Sequence, residues 1–152
     1  MNEFTDVHKS ILPMILSFAD RLNSFARTTL NKELDAHGLK FNQWRLINTI
    51  YSKSIFTPAK LADELMIERA TVSRYLDQLE ANNCIQRTHN QMDRRVVDIK
   101  LTTKGEKLAK LGISLMDDAY KEMFSHFSDS EFKQLSTLME KLSQKVVTAT
   151  NA

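Results

Sequence analysis

Glycine and proline are scarce in this chain, at 3 and 2 of 152 residues. That scarcity excludes collagen-like and low-complexity architectures and leaves room for long, uninterrupted helices. There is one cysteine, Cys84. An intrachain disulfide is therefore excluded, and a reducing compartment fits. No apolar run reaches the roughly 18 residues of a membrane helix, and MNEFTDVHKS lacks the charged-then-apolar order of a signal peptide. A cytoplasmic location with no membrane partner is expected. Glycine-rich phosphate loops and Ser, Cys or His motifs of an activated nucleophile are missing, so no catalytic residue is assigned and no enzyme is expected. The histidines, His8, His37, His89 and His126, are scattered and form no short metal-ligand spacing with each other or with Cys84. No metal site and no cofactor are expected.

What is present is apolar periodicity. Ile11, Ile15, Phe18, Leu22, Phe25 and Thr29 recur at steps of four and three, a narrow stripe on a long helix. Its start is expected near Ser10, with Pro13 tolerated in the first turn. Its end is expected at Ala36-His37-Gly38-Leu39, with Gly38 in the left-handed cap and Leu39 folded back on the last turn. A second helix carries Trp44, Ile47, Ile50 and Tyr51. Thr57-Pro58 reads as an N-cap followed by proline at the first helical position. It opens the short helix PAKLADELM, with Leu61, Ala62 and Leu65 inward. A turn through Met66-Ile67-Glu68 leads into RATVSRYLDQLEANN, with Val72, Leu76 and Leu79 at core spacing. Two such helices joined by a tight turn form a helix-turn-helix candidate.

CIQRTH, a polar tip and VVDIKLT follow. Val97, Ile99 and Leu101 alternate with Val96, Asp98 and Lys100, the pattern of a half-buried strand in a hairpin. Thr103 to Glu106 reads as a capping box before Leu108, Leu111, Leu115 and Ala119. Ser128 to Glu131 reads as a second box, with Phe127 and Phe132 placed as a hydrophobic staple. Phe132, Leu135, Met139, Leu142 and Val146 then stripe the last helix. The fold class is mainly α with a small antiparallel β-hairpin. The long striped helices at both ends call for a partner, most simply a second copy in a two-fold homodimer.

LADELMIERATVSRYLDQLE, then IQR, then DRRVVDIKLTTKG, resembles the core signature of the multiple antibiotic resistance regulator (MarR) family of winged helix-turn-helix transcription factors. HGLKFNQWRLI, residues 37–47, is similar to the family's entry into its second helix. The resemblance implies a winged helix-turn-helix lobe at 37–103. It also implies a helical dimerisation region at 1–36 and 104–152, the whole forming one compact domain. Glu68 stands where the family usually has a small polar residue. Lys40-Phe41 replaces a common Thr-Pro, which puts the expected start of the second helix at Asn42.

The function so implied is transcriptional regulation, as a ligand-responsive repressor, by a homodimer on double-stranded DNA with a pseudo-palindromic operator. A recognition helix presents its N-terminal residues to base edges in the major groove. Here those are Arg69, Ala70, Thr71, Ser73 and Arg74. Arg69 or Arg74 can grip a guanine edge or hold a phosphate, and the alternative for each is a solvated surface charge. At the hairpin tip the resemblance makes Arg95 the minor-groove reader and Asp93 its partner, with Arg94 touching phosphate; the alternative for Asp93 is a simple turn residue. Bulk charge adds little. Between Pro58 and Lys107 nine basic residues face eight acids, so any positive face must come from spatial sorting. The family's small aromatic or phenolic effectors would find a stacking face in Trp44 and a carboxylate partner in Arg45. The alternatives are plain packing for Trp44 and a surface ion pair for Arg45. A winged helix used for protein–protein contact is the rival function, and it would more often expose apolar residues on the reading face.

Overall fold

The computed structural model describes residues 3–90 and 97–150. Along these residues run α1 (Glu3–Ala36), α2 (Phe41–Lys53), α3 (Pro58–Leu65), α4 (Arg69–Ala81), β1 (Ile85–His89), β2 (Val97–Leu101), α5 (Thr103–Met123) and α6 (Asp129–Thr150). Two compact units are formed, Met1–Met116 and Asp117–Ala152.

In the first unit, α1 extends back to Glu3 and carries Pro13 in its interior, not in its first turn. A proline deletes a single i→i−4 bond, and the turns on either side carry the helix past it. The buried face of α1 is Ala26, Leu30 and Leu34. The stripe of Ile11 and Phe18 is exposed, and that of Ile15, Leu22 and Phe25 is half-buried. The helix ends as expected. Gly38 sits at φ +69°, where a side chain is strained, and the Leu39 N–H donates to the Leu34 carbonyl at 3.0 Å. Both leucines are fully buried.

α2 begins at Phe41, one residue before the expected Asn42. Its entry is satisfied without a Ser or Thr cap. The Gln43 Oε1 accepts the Lys40 backbone N–H at 2.7 Å, and Asn31 Oδ1 on α1 accepts that of Phe41 at 3.3 Å. Thr57 occupies the N-cap of α3 with Pro58 behind it, but its hydroxyl makes no capping bond; its carbonyl takes the Leu61 N–H instead. α4 stops at Ala81, two residues short of the expected end, because Asn83 turns left-handed at φ 55° and the Cys84 N–H closes back on the Leu79 carbonyl at 2.8 Å.

The strands pair antiparallel with Ile85 opposite Leu101, Arg87 opposite Ile99 and His89 opposite Val97. The Ile99 N–H donates to the Phe56 carbonyl at 2.7 Å, so the segment before α3 lies along the outer edge of β2. Leu46, Ile47, Leu61, Val72, Leu76, Leu79, Ile85 and Ile99 are fully buried. Each such side chain contributes about 1.5–3 kcal/mol relative to exposure.

The start of α5 corrects the expected capping box. Thr102, not Thr103, is the N-cap: its hydroxyl accepts the Gly105 N–H at 3.1 Å and donates to the Asn83 carbonyl at 2.7 Å. Two consecutive threonines make the register ambiguous in sequence, and the third helical residue is then Gly105, which has no side chain to close a box. It has none for a second reason. A Cβ there would lie 2.1 Å from the Cys84 carbonyl oxygen, so α5 rests directly on the backbone that opens the hairpin.

In the second unit the Ser128 box forms as expected. The Glu131 carboxylate accepts the Ser128 backbone N–H at 2.9 Å and its hydroxyl at 2.7 Å. These bonds hold the Glu131 carboxyl below the usual carboxylate range. Phe127 and Phe132 are joined through Phe124, whose ring meets theirs edge-on at 5.7 and 5.3 Å. Every α6 residue from Asp129 to Gln144 is exposed, including Phe132, Leu135, Leu138, Met139 and Leu142. Among the described residues no helix is long and apolar enough to cross a membrane.

Candidate nucleic-acid interface

The helix-turn-helix is built by α3, Met66 to Glu68, and α4. Met66 takes a left-handed conformation at φ 52°, and the Ile67 N–H closes the turn on the Ala62 carbonyl at 3.1 Å. Leu61 and Ala62 on α3, with Val72, Leu76 and Leu79 on α4, are buried and fix the pair on its inner side. Helical geometry then turns Arg69, Ala70, Ser73 and Arg74 outward together, and all of them are exposed. Thr71 is half-buried at the flank of that face. Glu68 sits at the N-cap, is exposed, and makes no capping bond with its side chain. The first-turn N–H groups of α4 are therefore not consumed by that carboxylate.

Arg74 is oriented by its neighbour. Its guanidinium lies 5.5 Å from the Tyr75 ring centroid, and the Tyr75 hydroxyl accepts a hydrogen bond from Asn42 Nδ2 at 3.4 Å. An amide pair, from buried Gln43 Nε2 to exposed Gln78 Oε1 at 2.7 Å, ties α2 to α4. The outward face is thus short-chained between two arginines and held by contacts from behind.

Asp93, Arg94 and Arg95 lie outside the described residues. The strands leading to them are described, and Asn90 Nδ2 donates to Asp98 Oδ2 across the hairpin at 2.8 Å.

Arg87, on β1, was not among the expected site residues. Its Nη1 is 2.7 Å from Asp77 Oδ1 and 3.7 Å from Glu80 Oε2, and its Nη2 donates to the Ser73 carbonyl at 3.4 Å. The Glu80 carboxylate also accepts the Arg87 backbone N–H at 3.1 Å. A sequence signal existed. Asp77 and Glu80 are spaced i, i+3 on one side of α4, and a lone arginine follows on the next strand.

Trp44 and Arg45 are not brought to one cavity. Trp44 is only 6% exposed, and its indole N–H donates to the Leu108 carbonyl at 3.2 Å. The backbone of α5 lies against its ring, since a Cβ on Gly112 would be 2.1 Å from the indole nitrogen. Arg45 is half-buried and lines a polar cleft of about 430 Å³ between α1 and α2, with Asp20, Asn23, Ser24, Arg27, Phe41 and Asn42. There the Arg27 guanidinium lies 5.9 Å from the Phe41 ring centroid.

Cys84 is fully buried, with its thiol 3.6 Å from the Asn82 carbonyl oxygen. Burial pushes the thiol pKa up, against an opposing pull from the Lys104 charge. Among the described residues no three His, Cys, Asp or Glu side chains are grouped to hold a metal ion.

Residues 39–97 match the model of the MarR family. The multiple antibiotic resistance protein MarR of Escherichia coli K12 is 26% identical over 149 residues, spanning 93% of this chain and 99% of that one. A MarR/EmrR family transcriptional regulator from Acinetobacter sp. ADP1 superposes with a TM-score of 0.78 at 26% identity, over 93% of this chain and 98% of the other. Streptococcus pneumoniae FabT, crystallised in complex with DNA, has the same fold, with a TM-score of 0.75 at 22% identity over 93% and 99% of the two chains. Over residues 39–97, which span the helix-turn-helix and the first strand of the hairpin, the chain is similar to the MarR family.

Proposed function

We propose that the chain is a transcriptional regulator that binds double-stranded DNA as a homodimer. The observation that carries this reading is the outward face of α4. Arg69, Ala70, Ser73 and Arg74 are exposed together, with short side chains between the two arginines. That arrangement allows close backbone approach to a groove while offering charge to phosphates and forked donors to guanine. Wide exposed apolar surface, which a protein-binding face would favour, is absent from these residues. FabT, which shares the fold, was crystallised on DNA.

At the hairpin tip the reading assigns Arg95 to the minor groove, Asp93 to holding the tip and Arg94 to phosphate. The exposed apolar residues of α1, Ile11, Leu12, Met14, Leu16 and Phe18, and those of α6 support a second copy as the partner that covers them. The dimerisation region is then the helices outside residues 37–103. Two recognition helices related by a two-fold axis would address half-sites about 10 base pairs apart, centre to centre, in a pseudo-palindromic operator. Release by a small aromatic or phenolic anion is the regulatory part of the proposal, making the chain a ligand-responsive repressor in the cytoplasm. Arg45 and Arg27, beside Phe41 in the α1–α2 cleft, supply the carboxylate partners and the ring face; Trp44 supports the cleft wall from behind.

Selection of duplexes from a random-sequence pool, followed by footprinting, tests the reading. A palindromic footprint with two half-sites is expected, and Arg95→Ala should lower affinity and reduce the slope of log K against log salt by about 0.9. No enriched sequence, or a single half-site bound by a monomer, would overturn it.

A further inference from the structure

The least expected side chain near the reading face is Arg87. Asp77 stands three and four residues beyond Arg74 and Ser73 on α4, so it continues the same helical stripe, and it is 66% exposed at its side chain. Glu80 follows a turn later and is 43% exposed. Left alone, these two carboxylates would place negative charge along the helix that approaches a polyanion. Like-charge juxtaposition at an interface of this kind is strongly unfavourable.

Arg87 reaches them from β1. Its guanidinium is close to both carboxylates and to the Ser73 carbonyl, with Nη1 nearest Asp77. Its side chain is only 26% exposed, and its Nε is buried with no hydrogen-bond partner among the described residues. The cation is thus drawn in under α4 rather than offered to solvent, a placement poorly suited to gripping phosphate itself. Its charge is spent within the protein.

We infer that Arg87 is a positioning residue for DNA binding that masks the Asp77 and Glu80 carboxylates on α4. It raises affinity by cancelling a charge rather than by touching the nucleic acid. The inference rests on the DNA-binding reading above.

The experiment uses the full chain and a fluorescein-labelled duplex selected by that chain from a random-sequence pool, with binding followed by anisotropy across a salt titration. Arg87→Met is expected to weaken binding about tenfold or more and to lower the salt slope by about 0.9, because one unmasked negative charge opposes counterion release. Arg87→Met with Asp77→Asn should return to within about threefold of the unaltered chain and regain its slope. Asp77→Asn alone should bind at least as tightly as the unaltered chain. Unchanged binding by Arg87→Met overturns the inference. So does a double variant as weak as the single one, because the pair would then be a structural strut. Should Arg87→Met fail to fold, as judged by its thermal melt, Asp77→Asn and Glu80→Gln decide: weakened binding by both overturns the inference, and binding at least as tight supports it. Failure of the unaltered chain to select any duplex overturns the DNA-binding reading together with this one.

Discussion

Leu76 and Leu138 are the same residue on helices of similar make-up, and they meet opposite fates. Leu76 on α4 is fully buried, whereas Leu138 on α6 is 63% exposed. Around Leu76 the first unit supplies apolar neighbours from α2, α3 and the hairpin. Around Leu138 every residue of α6 from Asp129 to Gln144 is exposed. The first unit holds its own hydrophobic driving force. The last helix carries exposed apolar side chains, and in the proposed homodimer its stability would depend on protomer concentration while that of the lobe would not.

The largest effects should come from breaking the self-sufficient side. Leu76→Ala is expected to cost about 2–5 kcal/mol in urea unfolding, through lost transfer energy and the cavity left behind. Leu138→Ala should leave the unfolding of the dilute monomer nearly unchanged. Equal losses at both positions would mean that the contrast is false. Gly105→Ala comes next, because its Cβ would press on a backbone carbonyl that cannot move like a side chain. A loss of about 1–3 kcal/mol is expected, visible as a lower melting temperature at every protein concentration.

On the dependent side, Leu138→Glu with Leu142→Glu should weaken self-association by about tenfold or more, since about 1.4 kcal/mol already produces that factor. Sedimentation equilibrium reads the shift, and the hairpin and α4 should keep their circular-dichroism signature. A dimer as tight as before would place the interface elsewhere. The smallest effect concerns the start of α6. The Glu131 carboxyl is held below its ordinary range by Ser128, so its contribution is present above the unfolded pKa and is lost as pH falls through the lower folded value. Fraying of α6 on acidification should therefore be weaker in Ser128→Ala, which has little of that contribution to lose. Identical acid titrations of the two proteins would count against the box.

Much of the fold was legible because periodicity and turn chemistry agree locally. Gly38 and Leu39, Pro58, the buried trio of α4, the hairpin alternation and the Ser128 box all follow from short-range rules. The departures have one cause in common, which is that the deciding partner is distant in sequence. The entry to α2 is set by Asn31, ten residues back. The inward face of α1 is Ala26, Leu30 and Leu34, chosen by the lobe and not by the more conspicuous stripe beside it. The N-cap at Thr102 is selected by Asn83, across the hairpin. For the candidate site, the residues of α4 could be named from their place in the motif. The role of Arg87 could not, because the contact that matters joins a strand to the helix before it.

Trp44 is the chain's single tryptophan, and α5 lies against it at Gly112 while the Leu108 carbonyl takes its N–H. All tryptophan fluorescence therefore originates at the seam between α2 and α5. Emission from a dry, hydrogen-bonded indole is blue-shifted, and water reaching the ring would move it to the red. The protein thus carries a built-in optical gauge of how firmly α5 is seated, readable without a label.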